Sequence, residues 1–115
     1  MLAHGALLRK NFFSADQLVA IVKDFRSAGL PPEEVAIMSF AQKIASHAHQ
    51  VSEQDIETLR GYGLSDEEIL DVILATTARS FFSKTLDALS VKPDNAYLDL
   101  EPELLQVLKG ERPFP

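Results

Sequence analysis

Apolar residues recur along this chain every three to four positions, and Ser, Pro and Gly interrupt them at intervals. Leu18, Ile21, Val22 and Phe25 form one stripe, which predicts a helix from about Ala15 to Ala28 with Gly29 as its stop. "LPPEE" restarts the chain: Pro32 suits a first helical turn, Glu33 and Glu34 complement the positive helix end, and Val35, Met38, Ala41 and Ile44 follow at helical spacing. A short helix from Glu53 to Tyr62 should end at "GYG". The longest element runs from Asp66 to Leu89. Between Ile69 and Ala78 it is apolar almost all round, and such a helix belongs in the middle of a fold. Ser14 with Gln17, Ser52 with Asp55 and Ser65 with Glu68 each set a hydroxyl three residues before an acidic or amide side chain, the signature of a helix start.

Beyond Val91 the pattern weakens. Pro93, Asp94 and Asn95 predict a turn, "YLDL" an extended stretch and "PELLQVLKG" a last short helix. Alternation occurs only in "YLDL", too short to build a sheet, so the expected class is all-α. At the other end "MLAHGALLRK" is rich in helix formers but has nothing ahead of Met1 to cap a first turn, so it reads as a helix that arrives already cut.

A chain of 115 residues suits a single domain spanning 1–115. Its net charge of -6, with scattered Lys and Arg, argues against nucleic acid as a partner, because phosphate neutralisation needs clustered basic residues. No stretch reaches the roughly 18 uncharged apolar residues of a membrane helix, and no signal peptide is visible; no membrane partner and a cytoplasmic location are expected. The chain has no cysteine, hence no thiolate nucleophile or sulfur metal ligand of its own.

The run from Leu30 to Val91 resembles the second part of the AhpD-like, carboxymuconolactone decarboxylase superfamily, in particular its peroxidase-related branch. The matching segments are "FAQKI" from Phe40, "VSEQDIETLRGYGLSDEEILD" from Val51 and "RSFFSKTLDALS" from Arg79. Ser83 and Lys84 stand where that branch has Asn-Arg. "HGALLRK" is similar to the continuation of the family's C-x-x-C-x-x-x-H-G helix and aligns His4 with its histidine. The resemblance implies an antiparallel helical bundle of the AhpD-like type, shortened at its N-terminus, whose second cysteine would fall immediately before Met1. It implies His4 as the candidate catalytic residue, a proton carrier near neutral pH. It also implies, loosely, a homo-oligomer, since family members are typically trimers or hexamers.

Peroxide chemistry of that kind needs a thiolate with a lowered pKa and a second thiol to resolve the sulfenic acid, and histidine replaces neither. The expectation is therefore a peroxidase-related protein without cysteine-dependent peroxidase activity in these residues. The alternative is a non-catalytic homo-oligomeric helical interaction module. A third reading keeps a small-molecule pocket of unknown substrate, since lactone decarboxylation in the superfamily does not depend on a cysteine pair.

No cofactor or metal is expected. His47 and His49 lie two apart and point roughly 200° from each other on a helix, so one ion could not take both there. Phe12 with Phe13 and Phe81 with Phe82 read as core or interface pairs. Arg79, amid apolar neighbours, either reaches water or pairs with a carboxylate from another helix or chain. The "DEE" at Asp66 is a helix start, and no phosphate loop, Ser-His-Asp order or paired-carboxylate spacing stands out.

Overall fold

Capping chemistry sets where this chain turns into helices. In the computed structural model, which describes residues 2–92 and 94–109, the elements are α1 (Leu2–Asn11), α2 (Ala15–Asp24), α3 (Pro32–His47), α4 (Glu53–Gly61), α5 (Asp66–Ala88) and α6 (Pro102–Lys109). Three short 3₁₀ segments lie at Phe25–Ser27, Ala48–Gln50 and Asn95–Asp99, and there is no strand among the described residues.

All three expected helix starts form. At Ser14–Gln17 and Ser65–Glu68 each hydroxyl accepts from the backbone N–H three residues on, while the Gln17 or Glu68 side chain accepts from the serine N–H. At Ser52–Asp55 the Asp55 carboxylate takes both the Ser52 N–H at 2.8 Å and the Ser52 hydroxyl at 3.1 Å. α2 stops four residues short of the expected end. Asp24 takes an extended conformation, φ −161°, and its carboxylate accepts from the Arg26 N–H and the Ser27 hydroxyl, which tightens Phe25–Ser27 into a 3₁₀ turn. Gly29 still supplies the positive φ, 77°, that turns the chain. "YLDL" is not extended: Tyr97 N–H donates to the Asp94 carbonyl, and residues 95–99 wind as a 3₁₀ helix.

Two helix ends close in the same way. The Leu64 N–H donates to the Leu59 carbonyl and the Gly63 N–H to the Arg60 carbonyl, with Gly63 at φ 96°. At the end of α5 the Val91 N–H donates to Leu86 and the Ser90 N–H to Asp87, with Ser90 at φ 55°, a left-handed conformation more usual for glycine.

The backbone forms two compact units. The first draws on both ends of the chain and contains α1, α2 and α6. Leu18 and Val19 of α2 and Leu104 and Leu108 of α6 make its core, flanked by partly buried Phe13, Val22 and Tyr97. Arg9 pairs with Glu101 at 2.7 Å and Lys23 with Glu103 at 3.2 Å, tying α1 and α2 to the α6 region. The second unit, Leu30–Val91, contains α3, α4 and α5. Phe40 and Ile44 of α3, Leu59 of α4, Leu64 of the turn and Ile69 of α5 form its core.

Contrary to the sequence expectation, α5 is not enclosed. Ile69 is its one buried residue, while Leu70, Leu74, Phe81, Phe82 and Leu89 are more than half exposed. The near-continuous apolar run therefore covers two faces, of which the second unit's own core uses one.

Candidate functional site

His4 lies in α1, the helix that carries "HGALLRK", and its side chain is exposed. The glycine that follows has a packing reason. A Cβ at Gly5 would meet the side chain of buried Leu108 on α6, with Cδ2 only 2.8 Å away and Cγ 3.1 Å, so a larger residue at position 5 would force the Leu108 side chain to move. Nothing in the hydrophobic pattern announces this contact, which joins residues more than one hundred positions apart.

The second unit holds a pocket of about 190 Å³ between α3 and α4, whose lining includes Ser39, Phe40, Lys43, Asp55, Thr58 and Leu59. Lys43 donates to the Asp55 carboxylate at 2.7 Å, and both side chains are about one-third exposed or less. The lysine, and then the Ser52 N–H, hold the Asp55 carboxyl below its ordinary range. One oxygen, Oδ2, receives all three of these bonds, so Asp55 is committed to capping α4 and to holding Lys43. A carboxylate so committed is a poor proton acceptor at neutral pH. The local pattern marks Asp55 as a cap but not Lys43, since nothing local announces a pair twelve residues apart on different helices.

Other charged groups have structural partners. Arg60 reaches Asp66 at 2.7 Å, Glu57 and Glu53, and Asp66 and then Glu57 raise its pKa further. This clamp spans the α4–α5 turn within the segment that carries the resemblance. Glu68 is held low by the Ser65 N–H and hydroxyl, and Glu101 by Arg9. Arg79 is partly buried and makes no ion pair among the described residues.

His47 ends α3 and His49 sits in the following 3₁₀ turn, their ring centroids 6.4 Å apart and tilted, and both side chains are exposed. No group of three metal-ligating side chains converges among the described residues. Of the aromatic pairs, Phe13 packs against the first unit's core, but Phe12, Phe81 and Phe82 stand in solvent, so these three belong to no core.

The chain matches no known protein-family model, no curated protein and no solved structure. No described helix is long and apolar enough to cross a membrane.

Proposed function

We propose that this chain belongs to the AhpD-like, carboxymuconolactone decarboxylase superfamily, in its peroxidase-related branch, and that its 115 residues carry no cysteine-dependent peroxidase activity. The observation that supports the reading is the segment from Val51 to Asp71. Five of its motif positions have a defined job: Ser52 and Asp55 start α4, Gly63 turns the chain, and Ser65 and Glu68 start α5. The antiparallel bundle of that family and a cytoplasmic location are part of the same reading.

On this reading His4 is the family's proton carrier, with no thiol in these residues for it to serve. The purified chain, given an organic hydroperoxide and a dithiol reductant, should consume peroxide no faster than buffer. Turnover above buffer that survives repurification would overturn the reading, because it would require a nucleophile other than sulfur.

The second reading is a non-catalytic, homo-oligomeric helical module, acting through contact rather than chemistry. It is favoured by one observation, the open apolar face of α5.

A further inference from the structure

The exposed apolar residues of α5 form a row. At about 100° per residue, Leu70, Leu74, Phe81, Phe82 and Leu89 fall within an arc of roughly 120° along the helix. Their exposures run from 52% at Leu70 to 73% at Phe81. Asp71 lies in the arc between Leu70 and Leu74; from Leu74 to Leu89 the arc carries no charge, and Ala78, Thr85 and Ala88 fill it, with Thr77 at its edge. The two threonine hydroxyls donate to their own helix, Thr77 to the Ile73 carbonyl at 3.0 Å and Thr85 to the Phe81 carbonyl at 2.8 Å. The face therefore offers methyl groups and rings, with its hydroxyl protons already satisfied.

Size and charge both narrow what fits this row. Two phenylalanines of about 200 Å² each and three leucines, open to this extent, present on the order of 600 Å² of apolar surface per copy, or ~1,200 Å² for a symmetric pair, the lower edge of a standard stable interface. Charge is unevenly spread along the helix: Asp66, Glu67, Glu68 and Asp71 crowd its first quarter, while its second half carries Arg79 and Lys84 against the single acid Asp87. Two copies laid parallel would stack four acids on four acids. Laid antiparallel and centred on Ala78, they set Asp71 of one copy beside Thr85 of the other, keep the two acidic ends apart, and oppose their helix dipoles. Ala78, the smallest residue at the middle of the row, lets the two backbones approach there.

We propose that this face of α5 is a self-association surface, on which a second copy of the chain packs antiparallel about a two-fold axis near Ala78. The proposal rests on the oligomeric-module reading and adds to it the surface, the orientation and the symmetry.

Because the chain has no cysteine, single engineered thiols report the geometry cleanly. Light scattering at micromolar concentration should give twice the monomer mass. Under mild oxidation Ala78→Cys, or Thr77→Cys if the axis lies one residue earlier, should form a disulfide-linked dimer. Leu70→Cys should not link to itself, since its two copies would lie about 24 Å apart along the helices. Phe81→Asp, at a position too exposed to support the fold, should weaken association by at least about 30-fold while leaving the helical signal intact.

A monomeric mass sinks both the module reading and this surface. An oligomer that Phe81→Asp leaves whole, or that Ala78→Cys and Thr77→Cys both fail to link, leaves the module reading standing and overturns the surface. Self-linking of Leu70→Cys as efficient as that of Ala78→Cys overturns the antiparallel arrangement.

Discussion

Replacing Leu59 with alanine should destabilise the second unit by about 3 kcal/mol, within the ~2–5 kcal/mol found for fully buried leucines. Leu59 is 1% exposed and belongs to a cluster fed by three helices, with Phe40 and Ile44 from α3 and Ile69 from α5. It is also the residue whose carbonyl receives the Leu64 N–H at the end of α4, and Leu64 is buried in the same cluster. The substitution therefore removes core volume and the apolar contact that closes the helix end. Collapse into the void is resisted because α4 is held at its start by the Ser52–Asp55 cap and at its end by the Arg60–Asp66 pair. Urea unfolding followed by far-ultraviolet circular dichroism checks this. The midpoint should fall at unchanged slope, and a loss under ~1 kcal/mol would show that the cluster relaxes around the gap.

Leu104→Ala should cost the first unit about as much, ~3 kcal/mol. Leu104 has no exposed surface, and Leu18, Val19 and Leu108 surround it, with Phe13 and Tyr97 packed outside. α6 is only eight residues long, too short to persist by helix propensity alone, so its packing holds it in place. Hydrogen exchange should accelerate first in α6 and then in α2. Leu104→Met, which nearly keeps the volume, should cost less than ~1.5 kcal/mol. Equal losses from both variants would mean that leucine's shape, not the filled space, is what the site requires.

Much of this architecture is readable from local chemistry. Ser14, Ser52 and Ser65 give three helix starts because a capping box is made from residues three apart. Pro32 and Gly63 mark a start and a stop through backbone constraints that any fold must obey. What local pattern misses is pairing at a distance. α5 reads as a central helix because leucine and phenylalanine look the same in sequence whether they meet a core or water, and only the partners available decide which. Gly5 reads as part of a motif, yet its contact is Leu108. Asp24 shows the opposite case, a single side chain that ends a helix earlier than the hydrophobic stripe suggests.

The candidate site is less legible still. His4 is identified by resemblance alone, and its exposed position in α1 neither adds a partner thiol nor removes the need for one. Lys43 and Asp55, which line the pocket between α3 and α4, are engaged with each other and with the α4 cap. Whether this chain is AhpD-like, as proposed, therefore comes down to whether α1 favours a thiolate close to His4.

That can be measured directly by adding one cysteine immediately ahead of Met1, four positions before His4, and titrating its thiol. The thiol should titrate below the ordinary value of about 8.5 and return towards it in the His4→Ala variant, because an imidazolium four positions along the chain favours the thiolate. A thiol that titrates near 8.5 and is indifferent to His4 would contradict the AhpD-like reading.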